Sequence, residues 1–361
     1  MADKVRLGVV GLGRVSSSHL PAIQELRDKV TLQAIVSRDP DKAARAAEGW
    51  DGVTLYTSFD EALLDSEIDA FLLLLPHDLH APYAIKAMKA GKHVLIEKPM
   101  ALNRFEGEQM VEAAEQNGVT LMVGQSRRFF GPVMQSIEKI RNGEIGELFT
   151  IHAMLLAYID KPAVDWWKDV KHIGGFIIPL WGSHILDYIV WAYGELPETV
   201  YAQGYSHNPN WEGEDEVSIS LKFSRNRMAN IVMSFNAGRV PGDEEGLGNK
   251  RIWTTQDSVY VRYMTGTKGV LHLKDENELF DNGEKVDGSS QHTSNFTWQL
   301  DEFIDSLLEK REPLASGREV LGVMRIMDAC FESIASNHVI RLDEVGSSSA
   351  HFSEAAGSSG L

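Results

Sequence analysis

The residues Gly11-Leu12-Gly13-Arg14-Val15-Ser16 follow an apolar run, Val5 to Val10, and open a stretch with helical character, 16–26. A glycine in the first position permits a tight turn, and one in the third lets the backbone approach a pyrophosphate. A small residue three places on, here Ser16, lets the helix pack against the strand. The helix N-terminus then offers N–H donors and a positive dipole end to phosphates. Gly11, Gly13, Arg14 and Val15 are therefore the expected phosphate contacts of a dinucleotide.

The spacing alone is a weak signal, and its setting makes it strong. Strand signals at 5–10, 30–36, 69–75, 93–96 and 119–123, with a short one at 53–56, alternate with helical signals at 16–26, 39–48, 81–90 and 103–116. Gly91 and Asn117-Gly118 act as stops. Such alternation predicts a parallel sheet with helices on both faces.

After Gln125 the pattern changes to short alternating runs at 147–156, 198–204, 215–223, 227–235, 251–263 and 268–274, which read as a largely antiparallel sheet. Helical stretches fall at 133–141, 183–193, 295–310 and 317–336. The expected fold class is α/β. An N-terminal Rossmann domain spans 1–124, an α+β domain with a large, mostly antiparallel sheet spans 125–345, and a disordered tail spans 346–361. The loop 239–250, with three Gly and three acids, is expected to be exposed and mobile. A length of 361 residues suits two domains.

Charge narrows the partners. A net charge of −17 repels nucleic acid and anionic membranes. The longest apolar run, 70–76, is too short to span a bilayer. Cys330 is the one cysteine, so no intramolecular disulfide or multi-cysteine metal site forms. Its apolar neighbours Ile326, Met327, Ala329 and Phe331 make it a buried helix residue, not a nucleophile. No metal motif is present. The residues Met1 to Arg6 run into the first strand without a secretory signal, and a cytoplasmic protein is expected.

The end of the second strand bears on which nucleotide binds. An NAD site usually places a carboxylate there for the ribose 2′-hydroxyl. This chain has Ser37-Arg38-Asp39, and an Arg beside a hydroxyl suits the 2′-phosphate of NADP. The competing reading leaves Arg38 in solvent and Asp39 as a helix cap. NADP is favoured over NAD.

The segment Gly91-Lys92-His93-Val94-Leu95-Ile96-Glu97-Lys98-Pro99 is the most specific in the chain. Together with the fingerprint and with Pro76-His77-Asp78-Leu79-His80, it closely resembles the glucose–fructose oxidoreductase/inositol dehydrogenase (Gfo/Idh/MocA) family, up to about Leu342. Gly174-Gly175 and Gly182-Ser183-His184-Ile185-Leu186-Asp187 look like that family's second active-site segment. The resemblance implies that Lys98 reaches the substrate hydroxyl beside the nicotinamide and that His184 is the acid/base. It also implies that Pro76, His80 and Glu97 sit by the cofactor, with Glu97 positioning Lys98 more than touching substrate. Two departures stand out. The family's Asp four residues before the His is Leu180 here, and its Asn after the fourth-strand Pro is His77. Asp187, one turn after His184, is the candidate to orient it in place of the missing acid.

On the substrate side, Trp166, Trp167 and Trp181 flank the His184 segment, and aromatic faces suit a sugar ring. Arg128 is open to two readings, a hold on substrate or cofactor and an inter-domain salt bridge. His152 and Tyr158 either point into the cleft or pack in the sheet. The resulting expectation is an NAD(P)-dependent oxidoreductase acting on a sugar or cyclitol, assembled as a homodimer or homotetramer through the outer face of the second sheet. Alternatives are a glycosidase or lyase that uses transient oxidation by a tightly held NAD(P), and a non-catalytic NADP-binding protein.

Overall fold

Runs of apolar residues buried on both faces build the first sheet. The computed structural model describes residues 4–237, 259–288 and 292–344. The loop 239–250, the residues 251–258 of the expected strand at 251–263 and the tail 346–361 lie outside the described residues. The first part runs β1 (Val5–Val10), α1 (Ser16–Glu25), β2 (Val30–Val36), α2 (Pro40–Ala46), β3 (Thr54–Tyr56), α3 (Phe59–Leu63), β4 (Ala70–Leu73), α4 (His80–Lys89), β5 (His93–Glu97), α5 (Arg104–Asn117) and β6 (Leu121–Gly124).

All six strands pair in parallel, in the order β3-β2-β1-β4-β5-β6. The chain leaves β1 toward β2 on one side and β4 lies on the other, so a crevice opens at their carboxyl ends. Gly11 turns there at φ +92°, and a Cβ on it would lie 2.4 Å from the Leu74 oxygen. Asp39 caps α2 by accepting from Lys42 N at 3.0 Å, and Asn103 caps α5 by accepting from Glu106 N at 3.0 Å.

The second part runs α6 (Gly131–Arg141), β7 (Leu148–Leu156), α7 (Val170–Ile173), a π-helical turn at Ile178–Gly182, α8 (Ser183–Tyr193), β8 (Thr199–Tyr205), β9 (Glu216–Lys222), β10 (Met228–Ser234), β11 (Val259–Gly266), β12 (Val270–Lys274), β13 (Glu278–Asp281), β14 (Glu284–Val286), α9 (Asn295–Leu308), α10 (Gly317–Ser336) and β15 (Ile340–Arg341). The sheet order is β14-β13-β12-β11-β7-β10-β9-β8-β15. Only β7 and β10 pair in parallel, so this sheet is mixed and mostly antiparallel. The expected α/β class, with these two kinds of sheet, is the one the chain adopts.

One face of the second sheet packs on α8, every residue of which is buried. The stretch Val170–Tyr193 is apolar and long enough to cross a bilayer, yet 94% of its most apolar window is buried inside the domain, as in a core helix. The opposite face carries Met154, Val232 and Tyr263, all exposed. His152 is exposed on that same face, opposite Asn230 and Tyr263. It therefore does not point into the cleft.

Two features depart from the sequence expectation. The helix α9 does not stay with the second sheet. Its Leu300, Phe303 and Ile304 share one apolar cluster with Val9, Ile23 and Leu95 of the first, and Lys29 bonds Asp301 and Asp305 at 2.6 and 2.9 Å. The helix amphipathicity was legible; which sheet it would cover was not. The second is the hairpin β13–β14, whose charged strands carry little alternating apolar pattern, although Asn282-Gly283, at φ +49° and +90°, is a strong two-residue turn signal.

Candidate active site

A cleft of 1030 Å³ opens at the carboxyl ends of β1, β4 and β5. The turn Gly11 to Val15 and the residues Ser37, Arg38 and Lys42 line it toward one end; Lys98, Arg127, Trp181 and His184 line it toward the other. The first group fits a dinucleotide. A Cβ on Gly13 would meet nothing within 4 Å, so the backbone there faces open space. The Ser16 hydroxyl donates back to the Gly13 oxygen at 2.7 Å, and no side chain caps α1. The helix N-terminus is thus left to an anion from outside the chain.

Lys98 lies just past β5, after a strand that ends in the buried crevice. The Lys98–Pro99 bond is cis. Its ammonium donates to the Leu180 carbonyl oxygen at 2.7 Å. Burial pushes its pKa down to about 8, against the pull of Glu97 and with help from Arg127 and Arg14. Glu97 lines the cleft but turns its carboxylate to protein. Oε1 bonds His19 Nε2 at 2.7 Å and Oε2 accepts from Lys98 N at 3.3 Å. Burial alone would raise the Glu97 pKa; His19 and Lys98 overcome it and hold the carboxyl below its ordinary value.

His184 stands in the first turn of α8, buried, with Nδ1 3.0 Å from Gln125 Oε1. An amide oxygen only accepts, so Nδ1 carries the hydrogen and Nε2 keeps a lone pair. Burial, followed by the charges of Lys98, Arg127 and Arg262, drives the His184 pKa well below its ordinary value. The imidazole is neutral at pH 7.

Several expected site residues stand elsewhere. Asp187 does not orient His184. Its carboxylate takes the Arg128 fork, Oδ2 from Nε and Oδ1 from Nη2, both at 2.7 Å. Arg128 also donates to Glu319 at 3.0 Å. A buried carboxylate takes the planar bidentate donor within reach in preference to a ring nitrogen. Neither Asp187 nor Arg128 lines the cleft, so neither is placed to meet substrate. His80 lies behind the wall, its ring nitrogens 2.7 Å from the Pro99 oxygen and 2.9 Å from the Leu75 oxygen. It braces the two strand ends and is not placed to contact a nucleotide. Tyr158 forms a backbone bridge with Asn236 and is not on the cleft wall.

Trp166, Trp167 and Trp181 do line the cleft, as does Pro76. Trp166 meets His77 edge-on at 4.8 Å between ring centroids, and Trp181 meets His184 at 6.1 Å. The Arg14 guanidinium lies 5.8 Å from the Trp167 ring. Sequence reasoning missed Gln125, Arg127 and Lys42. Their one signal was position: Gln125 and Arg127 follow a sheet strand at its carboxyl end, and Lys42 lies one turn past Arg38.

The Leu180 position is resolved by backbone chemistry. The π turn at Ile178–Gly182 carries the Leu180 oxygen to Lys98. Glu214 fixes the start of that turn, accepting from Phe176 N at 3.1 Å and Ile178 N at 2.9 Å. Among the described residues no group of three His, Cys, Asp or Glu is arranged to hold a metal.

The chain resembles known proteins over nearly its whole length. A family profile described as an oxidoreductase family's NAD-binding Rossmann fold matches residues 5–125, and the C-terminal alpha/beta domain of that family matches 137–342. An oxidoreductase of Streptococcus pneumoniae is 32% identical over 62% of this chain, which spans 61% of that protein. The 4-carboxy-2-hydroxymuconate-6-semialdehyde dehydrogenase of a Sphingobium species is 28% identical, covering 90% of this chain and 96% of its own. The WlbA dehydrogenase from Bordetella pertussis, solved with NADH and UDP-GlcNAcA, superposes with a TM-score of 0.77 at 26% identity, covering 94% of this chain and 99% of its own.

The buried Arg128–Asp187 pair generates a stability prediction. Their side chains are 2% and 3% exposed. Arg128→Ala strands a carboxylate in the interior and is expected to cost about 3–5 kcal/mol in urea unfolding. A loss below about 1 kcal/mol would mean that the pair is solvated.

Proposed function

The chain belongs to the Gfo/Idh/MocA oxidoreductase family, and on that premise we propose that it transfers hydride between a nicotinamide nucleotide and a hydroxyl or carbonyl carbon of a sugar or cyclitol. The observation that carries this reading is the convergence of a half-buried lysine and a neutral, oriented histidine on one end of the dinucleotide cleft. The NADH held by the Bordetella dehydrogenase supports the nucleotide, and the dehydrogenase activity of the Sphingobium relative supports the reaction class.

Gly11, Gly13, Arg14 and Val15 would hold the pyrophosphate. When bound, nicotinamide supplies the hydride acceptor or donor. Lys98, charged at neutral pH, polarises the substrate oxygen where negative charge develops. His184 Nε2 accepts the hydroxyl proton in oxidation and returns it in reduction, with Nδ1 anchored on Gln125. Trp166, Trp167 and Trp181 offer faces for the apolar side of a ring. NADP is proposed ahead of NAD, because Ser37 stands where an acid would hold the 2′-hydroxyl and Arg38 and Lys42 line the same end of the cleft. A homo-oligomer packed on the outer sheet face is proposed from its exposed Met154, Val232 and Tyr263. The single cysteine, buried on α10, suits a reducing cytoplasm.

These assignments set measurable outcomes for the chemistry, its pH dependence, the nucleotide and the assembly. In single-turnover hydride transfer, Lys98→Ala is expected to lose most, and His184→Ala about 10²–10⁴-fold, with nucleotide affinity retained. Near wild-type rates in both variants would place the chemistry elsewhere. In the wild type, kcat/KM for oxidation should hold through neutrality and fall above about pH 8 as Lys98 loses its proton; a rise through that pH would make Lys98 the base. For the nucleotide, Arg38→Ala should weaken NADP by about 1.5–3 kcal/mol and leave NAD nearly unchanged in calorimetry. Equal losses reject the NADP preference. Light scattering that finds only monomer at working concentration rejects the oligomer.

A further inference from the structure

We propose that the substrate of this cleft carries a carboxylate, bound by Arg127, so that the sugar or cyclitol it takes is an acid. The inference deepens the hydride-transfer reading and rests on it for the reaction, though not for the charge that the cleft recognises.

Arg127 follows β6 directly, and its side chain lines the cleft beside Lys98, Trp181 and His184. Its guanidinium lies 4.8 Å from the Trp181 ring and 5.5 Å from that of Phe130, which fixes its plane. One arm, Nη1, donates to Glu276 Oε2. Among the described residues no other carboxylate lies within ion-pair distance of Arg127.

Glu276 is already shared. Its Oε1 stands 3.6 Å from Nη2 of Arg262, and both side chains are 1% exposed. One carboxylate therefore serves two guanidinium groups, and this corner keeps one positive charge. The other groups packed here do not cancel it. Glu97 is turned to His19 and answers Lys98. Tyr188 and Tyr260 are kept protonated by burial, and His184 is neutral. Nor do the cofactor's phosphates answer it: the turn that suits them ends β1, three strands from β6, roughly 14 Å away at ordinary strand spacing. The Arg127 side chain is 31% exposed, so the donors that Glu276 does not take face the cleft, and an anion entering there meets a positive potential.

The corner is also preorganised. Asp275 and Glu276 turn the chain from β12 to β13 with φ of +48° and +63°, two non-glycine residues in the left-handed region. Such backbone is kept where the surroundings demand it, often at functional sites. It places Glu276 under Arg127, clamps one arm of the guanidinium and leaves the rest of its donor fork for the cleft. A planar fork is the geometry that a carboxylate matches with two hydrogen bonds.

The test uses the full chain saturated with nucleotide and matched ligand pairs: D-glucose with D-glucuronate, D-galactose with D-galacturonate, and D-glucitol with D-gluconate. Binding is measured by calorimetry and nucleotide reduction by absorbance. In at least one pair the acid is expected to bind roughly 10- to 100-fold more tightly than its neutral partner, the factor of one or two charge-assisted hydrogen bonds. Arg127→Leu should bring that ratio near one, and Arg127→Lys should keep part of it. Arg262 still pairs with Glu276 in either variant, so both should fold, which unfolding curves verify. Neutral ligands that bind as well as every acid, no acid that binds, or an acid preference that survives Arg127→Leu would each overturn the proposal. Acid binding that depends on Arg127 without nucleotide reduction would count against hydride transfer instead. Oxidation of neutral sugars without acid preference would do the reverse.

Discussion

The Lys98 ammonium and the Leu180 carbonyl meet at 2.7 Å, and most of the site can be derived from that contact. Lys98 belongs to the first sheet and Leu180 to the π turn that leads into α8, so one hydrogen bond joins the two halves of the cleft. An α-helical turn would direct its carbonyls along the helix axis to the next turn. The wider π turn frees one to serve a side chain, a use often seen at functional sites. Glu214 then matters at a distance. By accepting two backbone N–H groups at the start of the turn it sets where the Leu180 oxygen points. Burial raises its pKa to about 7, so at neutral pH the group that holds the turn is itself near its midpoint of charge.

The same contact places His184. The residue lies four positions after Leu180, at the start of a helix buried on all sides, so it cannot turn to solvent. Its partner is Gln125, at the end of β6. A neutral amide fixes the tautomer without adding negative charge, whereas an aspartate partner would stabilise the imidazolium and raise the pKa. Here burial, and after it the surrounding cations, lower it instead. The ring is held as a base that is empty of its second proton throughout the neutral range.

Local signals were legible in the sequence and long-range choices were not. The first sheet could be read because its strands are continuous apolar runs, separated by helices with ordinary stops, and each step depends on neighbouring residues. Lys98 and His184 could be placed because short motifs carry them. Asp187 was misjudged because helical spacing shows which residues share a face but not which partner a third element brings. Arg128 arrives from the turn just past β6, 59 residues away in sequence, and takes the carboxylate. His80 failed the same way, since its motif position suggested the cofactor while its ring found two backbone oxygens behind the strand ends. α9 shows the effect at a larger scale. Its apolar stripe was evident, yet only the gap left beside α1 determines that it covers the first sheet and not the second.

Leu180 was the residue that most unsettled the sequence reading, and charge explains how the site works without an acid there. A carboxylate four residues before His184 would stand against Lys98 and His184 together. It would stabilise both charged forms, holding Lys98 firmly protonated and leaving less of His184 as the free base at neutral pH. The Leu180 carbonyl gives the ammonium a hydrogen bond but adds no charge, so burial outweighs the pull of Glu97 and brings Lys98 down to about 8. Burial, and after it the positive charge on Lys98, Arg127 and Arg262, lowers the His184 pKa, and the same charge favours an alkoxide on the substrate. The same field makes the substrate hydroxyl a stronger acid and the His184 imidazolium harder to form; the first favours ionisation at the reacting oxygen, and the second keeps the ring a free acceptor that readily gives the proton up again. Replacing the acid with a backbone oxygen therefore shifts the proton-transfer machinery from charge pairing to field, without removing either of the two groups that act on the reacting oxygen.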